Sequence, residues 1–328
     1  MLWTTLSLLA GLVLLMAGGD LLVRGAVRVA TRLGVSPLVI GLTLVGFGTS
    51  TPELVTSVQA ALIDAPGIAY GNIVGSNIAN ILLILAISAL LTPIVVTSAA
   101  LRRDGVVMLA VAILFALVAW ASPMTRPIGA AFVAALAAYV FLAFRQERTA
   151  TTDHGALYDK AAATEGADPA LSPARAADTP ALVPSLLTAV GGLVLVVLGG
   201  YLLVDGATAL ARSFGIPETV IGLTIVAVGT SLPELVTSVM AAIRRQGDVA
   251  FGNIVGSNIY NILGIGGVTA LIAPTPVPAE IVTFDNLVMI GASVALLVLA
   301  ATGLLVRRWE GALLLSAYLA YVYVLWPA

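Results

Sequence analysis

The sequence predicts an all-α polytopic membrane protein of about ten transmembrane helices, arranged as two inverted-topology five-helix repeats. Three observations carry that prediction. The 328 residues are 60% hydrophobic and 10% charged, with a mean hydropathy of +1.08, more apolar surface than a soluble fold can cover. Apolar runs of about 20 residues, the length needed to span a bilayer, follow one another along nearly the whole chain. Finally, a long stretch of the first half returns in the second at an offset of 181 residues.

Taken in order, the expected spans are 3–31, 36–63, 67–92, 104–121 and 126–144, then 184–212, 217–243, 249–273, 284–305 and 309–326. The first flows straight into a longer patterned segment without a small-residue cleavage site, so it reads as a span and not as a signal peptide. The second and third hold the first copy of the repeat (about 36–92), and the seventh and eighth hold the second (about 217–273). Between the halves, "QERTATTDHGALYDKAAATEGADPALSPARAADTPAL" at 146–182 is the one long polar segment. Rich in Ala, Thr, Asp and Pro and lacking an apolar period, it is expected to be a mobile linker, too plain for a regulatory domain. The chain thus divides into a first half (1–145), a linker (146–183) and a second half (184–328).

Basic residues orient these spans. With the N-terminus outside, the cytoplasmic ends hold Arg24, Arg28, Arg32, Arg102, Arg103, Arg145, Arg148, Lys160, Arg175, Arg244, Arg245, Arg307 and Arg308, or 13 of the 15 basic residues. Only Arg126 and Arg212 fall outside. The expected placement is multi-pass in the cell (inner) membrane, both termini outside and the linker cytoplasmic. The net charge of −2 suggests no nucleic-acid partner, and the absence of cysteine excludes disulfides, thiol catalysis and thiolate metal sites.

The repeat carries the chemistry. "GTSTPELVTSV" at 48–58 returns as "GTSLPELVTSV" at 229–239, and "GNIVGSNIANIL" at 71–82 as "GNIVGSNIYNIL" at 252–263, with 11 of 12 residues identical. Five spans per half is an odd number, so the copies enter the membrane from opposite sides, and a binding site is expected at the midplane where they meet. Pro52 and Pro233 each lack an N–H and disturb the carbonyl four residues earlier, at Gly48 and Gly229. Broken helices at that depth line cavities. Glu53 and Glu234 lie near mid-bilayer, where a carboxylate is a functional candidate by default.

Helical spacing adds Thr49 to the face of Glu53 and Thr230 to that of Glu234. In the next helix Asn72, Ser76 and Asn80 stack at i, i+4, i+8, matched by Asn253, Ser257 and Asn261. Gly71 and Gly75, with Gly252 and Gly256, offer faces for close helix approach. The converging groups are all oxygen donors, which suit Na⁺ or Ca²⁺ and not Zn²⁺ or Cu⁺.

Blander readings stand beside these. A carboxylate in a membrane can pair with a buried base, but neither glutamate has Arg or Lys at helical reach. The proline can be an ordinary kink, and the Asn/Ser stripes interhelical glue; for Asn72 and Asn253, lining and packing or capping stand level. Asp20 and Arg24, four apart, read as a local structural pair. His154, the only histidine, reads as a solvated loop residue.

With its paired glutamate stretches and "GNIVGSN" helices, the chain resembles the cation/calcium exchanger superfamily, specifically the prokaryotic-type, K⁺-independent sodium/calcium exchanger branch. The resemblance covers essentially the whole chain, and identifies the two copies as that family's alpha-repeats. It implies secondary antiport of Ca²⁺ against Na⁺ by alternating access, with the two ions as transported substrates and no covalent cofactor. It also implies that Glu53 and Glu234 bridge a central Ca²⁺ site, and that Thr49, Ser50, Thr230 and Ser231 supply hydroxyl and backbone oxygens. Ser76 and Ser257, with the backbone carbonyls of Gly46 and Ala227, would help form flanking Na⁺ sites, and Asn80 and Asn261 would complete the middle. Family members often carry Asp at one of those last two positions; here both are Asn. Two carboxylates neutralise one Ca²⁺, whereas three Na⁺ would leave a net charge of +1, and the substitution weakens a case for potassium co-transport.

Two other classes compete with this reading. An enzyme needs a nucleophile with a base, and the chain has no Cys and no intramembrane His. A channel could use the same ligands, but it usually gathers its pore around an oligomeric axis, whereas a repeat within one chain favours alternating access. Within antiporters, Ca²⁺/H⁺ exchange is the alternative, since two close carboxylates make protonation of one easier.

Overall fold

The computed structural model describes residues 2–34, 43–44, 46–96, 100–147, 156–168 and 181–326. The first half contains α1 (Leu2–Arg32), a helical turn (Gly46–Gly48), α2 (Thr51–Leu62), α3 (Pro66–Leu91), α4 (Leu101–Ala121) and α5 (Arg126–Glu147). A linker helix, α6 (Ala156–Ala167), follows. The second half contains α7 (Leu182–Phe214), α8 (Glu218–Thr230), α9 (Leu232–Ile243), α10 (Val249–Ile272), α11 (Ile281–Ala301) and α12 (Arg308–Leu325).

Seven of the described helices are long and apolar enough to cross a membrane, or eight if the bent pair α8–α9 is one span. That is fewer than the ten expected, for two local reasons. The start of the expected second span, 36–42 together with residue 45, lies outside the described residues. In α12, Arg308 and Glu310 occupy the first turn of an 18-residue helix and dilute its apolar run. The expected ninth span also ends early: α11 stops at Ala301, and Leu305–Val306 forms β2, antiparallel to β1 (Ile94–Val95). An isolated bridge joins Met124 to Thr275. The fold is therefore almost, but not wholly, helical.

α1 has 31 residues, about 46 Å at 1.5 Å per residue, and so crosses a bilayer with length to spare. It packs antiparallel on α7 through glycines. Gly11 meets Gly199 and Leu203, Gly18 meets Gly192 and Val196, and Gly25 meets Ala189. A Cβ on Gly192 would stand 2.2 Å from the Leu22 backbone nitrogen, so the two backbones touch only because no side chain intervenes. Gly192 and Gly199 lie 181 residues after Gly11 and Gly18, so the contacts 11–199 and 18–192 exchange under the sequence offset, as contacts across a two-fold axis do. The opposite faces, with Trp3, Val13, Leu187 and Val194, are exposed and apolar, as lipid-facing surfaces are. α7 ends at Gly215, whose φ of +65° provides the left-handed cap that a Cβ would strain.

The two helices of the "GNIVGSN" motif form the centre. In each of α3 and α10, 83% of the apolar window is buried, against 17% for α5 on the periphery. Both widen into a π turn beginning at the expected site asparagines, Asn80–Leu85 and Asn261–Gly266. Such turns are frequent at functional sites, because one extra residue per turn redirects side chains and leaves carbonyls free.

The linker expectation is corrected. Residues 148–155 and 169–180, with Arg148, His154 and Arg175, lie outside the described residues, but Ala156–Ala167 is a helix and not a mobile coil. Its alanines favour helix and allow close approach. It lies on the glycine face of α10, where a Cβ on Gly252 would come within 2.2 Å of Asp159 Cβ.

A crossed pair of glutamates and a buried lysine

The chain breaks where the prolines predicted trouble, although the geometry differs from a kink inside a continuous helix. Thr49 and Ser50 separate the Gly46–Gly48 turn from α2, and Ser231 separates α8 from α9 with a bend of 50°. Ser50 and Ser231 adopt nearly the same non-helical conformation, φ −90°, ψ 10° and φ −84°, ψ 10°. Pro52 and Pro233 then sit in the first turn of a new helix, where a missing N–H forfeits no bond. Glu53 and Glu234 share those first turns, where the helix dipole favours negative charge.

Each copy's serine holds the other copy's glutamate. Ser50 Oγ donates to Glu234 Oε1 at 2.8 Å, and Ser231 Oγ donates to Glu53 Oε1 at 3.0 Å. Both carboxylates are buried, and Oε2 of each has no hydrogen-bond partner. Asn72 and Asn253 turn out to brace the glutamate helices. Asn72 Nδ2 donates to the Glu53 carbonyl (3.1 Å) and Ser57 Oγ (2.9 Å). Asn253 Nδ2 donates to the Glu234 carbonyl (3.3 Å) and Ser238 Oγ (2.7 Å).

Farther along α3 and α10, Asn80 Nδ2 donates to Asn258 Oδ1 at 2.9 Å, while Asn258 Nδ2 donates to the Asn77 carbonyl at 3.3 Å. Asn261 is buried with neither amide atom paired, and Asn80 Oδ1 is likewise unpaired. Ser76 Oγ lies 3.1 Å from Ser231 Oγ, and Gly46 and Ala227 are buried beside the breaks. Hydrogen bonds thus join Ser50 to Glu234, Ser231 to Glu53 and Ser231 to Ser76 in a buried polar centre, and Asn80 and Asn261 lie buried one turn beyond Ser76 and Ser257 on the same two helices. Among these residues four oxygens, one on each glutamate and one on each of Asn80 and Asn261, are unsatisfied. Burying such atoms is costly unless something satisfies them. A hard cation would do so, and oxygen-only donors are the set it prefers. Sequence reading missed Ser57, Ser238, Asn77 and Asn258, although the duplicated motifs contain all four.

It also missed Lys160. No Arg or Lys lies within helical reach of the glutamates, but the fold brings one from the linker. Lys160, fully buried on α6, places Nζ 3.6 Å from Glu234 Oε1. The same ammonium donates to Thr49 Oγ1 (3.1 Å), Ser50 Oγ (3.3 Å) and Ser257 Oγ. Its presence breaks the symmetry of the two copies. Thr230 donates to Asn72 Oδ1 at 2.9 Å, whereas Thr49 faces Lys160 and Asn253 Oδ1 has no partner. Ser231 approaches Ser76, whereas Lys160 stands between Ser50 and Ser257.

The linker helix is tied down at both ends. The Ala156 N–H donates to Asp104 Oδ2 at 2.7 Å, Arg24 pairs with Asp168, and Arg244 donates to the Gly166 carbonyl. The expected Asp20–Arg24 pair is present at 2.8 Å and belongs to this anchorage. A cavity of about 250 Å³ lies between α6 and the broken helices, lined among others by Thr49, Pro52, Pro233, Thr164 and Asp168.

Fold and centre together define a polytopic membrane protein whose oxygen-rich core is built from two copies of one motif. The family described as sodium/calcium exchanger protein matches residues 3–145 and 184–326, and the chain belongs to that family. Sodium/calcium exchanger MaX1 of Methanosarcina acetivorans is 39% identical over 344 residues, covering 98% of this chain and 97% of that one. Inner membrane protein YrbG of Escherichia coli is 34% identical over 297 residues, covering 90% and 87%. Among solved structures, the sodium-calcium exchanger NCX_Mj, soaked with 10 mM Na⁺ and zero Ca²⁺, is 32% identical, with a TM-score of 0.62 over 98% of both chains.

Proposed function

We propose that the chain is a secondary antiporter that exchanges Ca²⁺ for Na⁺ across a cell membrane by alternating access, without enzymatic chemistry or a covalent cofactor. Family membership supports this reading, and the observation that carries it is the crossed serine–glutamate pair with two unsatisfied carboxylate oxygens. Glu53 and Glu234 would bridge Ca²⁺ and neutralise it. Ser50, Ser231, Ser76, Ser257, Asn80 and Asn261 would add oxygens, with Thr49, Thr230 and the carbonyls of Gly46 and Ala227 at the flanks. The non-helical residues Ser50 and Ser231 are where the spans would hinge. The antiparallel α1–α7 contact and the matched π turns support two inverted halves, 1–145 and 184–328.

The test is ⁴⁵Ca²⁺ uptake into proteoliposomes under separately imposed Na⁺, H⁺ and K⁺ gradients. Only an outward Na⁺ gradient is expected to drive uphill uptake, which a channel cannot perform; uptake driven by H⁺ instead would make the protein a Ca²⁺/H⁺ antiporter. Glu53→Gln or Glu234→Gln alone is expected to abolish exchange while leaving folded protein in the membrane. Near-normal transport by either would defeat the two-carboxylate site.

A further inference from the structure

We propose that the linker helix α6 is an internal plug, and that Lys160 is a tethered cation competing with the transported ions for their site. The inference rests on the cation-site reading above. Three independent observations point to it.

The first is chemical. Lys160 is the only lysine among 15 basic residues, and its ammonium meets Glu234, Thr49, Ser50 and Ser257, four residues of the expected ligand set. An ammonium is a compact point charge on a flexible stem, and so can take an alkali cation's place among oxygens; a planar guanidinium cannot.

The second is the broken symmetry. On the side without the lysine, Thr230 pairs with Asn72 and Ser231 with Ser76; on the side with it, both counterpart contacts are absent. The ammonium therefore stands among the site's own hydrogen-bonding partners.

The third is mechanical. α6 packs on Gly252 and Gly256 of α10, while the counterpart glycines of α3, Gly71 and Gly75, receive the Gly222–Ala227 stretch of the second half. The linker thus fills a groove for which the other copy uses part of a transmembrane half. Of the anchors at the helix ends, the Asp104 contact is buried, the Arg24–Asp168 pair is half-buried and the Arg244 contact is exposed, and the last two are of the kind that contributes little individually. A short helix that belongs to the linker and not to either transmembrane half, and that carries its one lysine into the site, suits reversible docking. With the cation scarce, α6 sits in place; with the cation abundant, Lys160 and the ion exclude one another and α6 is released. The coupling is reciprocal, so removing the lysine's charge must raise the affinity for the ion.

The chain lacks cysteine, so a single introduced thiol reports docking without activity. Ala161→Cys and Ala163→Cys place it at two buried positions of α6. In detergent-purified full-length protein, maleimide labelling is expected to be slow without Ca²⁺ and Na⁺ and to quicken as either is added. Adding Lys160→Gln should make labelling fast without cation and insensitive to it. In the cysteine-free protein, Lys160→Gln should tighten equilibrium ⁴⁵Ca²⁺ binding about tenfold, the effect expected if the undocked, competent state is a tenth of the population. Two results overturn the proposal: ⁴⁵Ca²⁺ binds while labelling stays unchanged, or Lys160→Gln leaves both labelling and affinity at wild-type values. Protein that binds no ⁴⁵Ca²⁺ with or without Lys160, yet whose labelling quickens on Lys160→Gln alone, rejects the cation-site reading and the competition with it. Agreement between the two cysteine positions guards against a local disturbance by either.

Discussion

Asn261 is buried with both amide atoms unpaired, while its counterpart Asn80 is committed to Asn258. That difference decides where charge can be added. An aspartate at 80 would lose the donor that binds Asn258 Oδ1 and leave a buried acceptor unmatched, at a cost of about 1–3 kcal/mol. At 261 no protein contact is lost. With two carboxylates the proposed site balances one Ca²⁺ or two Na⁺, and a third Na⁺ is held against repulsion. Unit charges ~4 Å apart interact by about 4 kcal/mol at an effective dielectric of ~20, enough to govern occupancy. Asn261→Asp is therefore expected to steepen the Na⁺ dependence of exchange and make it more sensitive to membrane potential. Na⁺-driven Ca²⁺ flux in liposomes, with and without a clamped potential, measures both. If wild type already shows three-Na⁺ cooperativity and the mutation leaves it unchanged, charge counting does not set the stoichiometry.

At the level of elements, the α1–α7 contact separates two adjacent glycines. A Cβ on Gly192 runs into the Leu22 backbone, while one on Gly191 meets nothing within 4 Å. Backbone cannot yield as a side-chain tip can. Gly192→Leu is thus expected to destabilise the protein by at least the ~1–3 kcal/mol typical of overpacking, and Gly191→Leu to be nearly neutral. Thermal unfolding of the two variants in detergent, followed by loss of monodisperse protein, distinguishes them; equal stability would mean the helices do not touch there. This contact was half legible in the sequence. The repeated glycines and their 181-residue offset are plain, but which helix they meet depends on the fold. The breaks at Ser50 and Ser231 and the glutamates were legible because Pro and a charge have few uses inside an apolar run. The π turns and the β1–β2 pair were not, since they arise from packing and leave no compositional trace. Lys160 was hidden for another reason: alanines favour its helix, but without an apolar period nothing local shows that the helix packs, or against what.

For the molecule as a whole, the linker helix ties orientation to structure. α6 contacts Arg24 near the end of α1, Asp104 near the start of α4 and Arg244 just after α9, and in the proposed topology these three ends share one side of the membrane. They are also ends where the sequence concentrates its arginines, and segments rich in Lys and Arg stay cytoplasmic. With 13 basic residues on that side and 2 on the other, the proposed orientation has the linker inside and both termini outside. An epitope inserted between Asp168 and Ala181 leaves α6 and its anchors intact and reads the linker side directly. In intact cells it is expected to resist a membrane-impermeant reagent and to react only after permeabilisation, while an epitope at the N-terminus reacts without it. Labelling of the linker epitope in intact cells would invert the molecule. Lys160 would then plug the site from the external face, and external rather than cytoplasmic cation would release it.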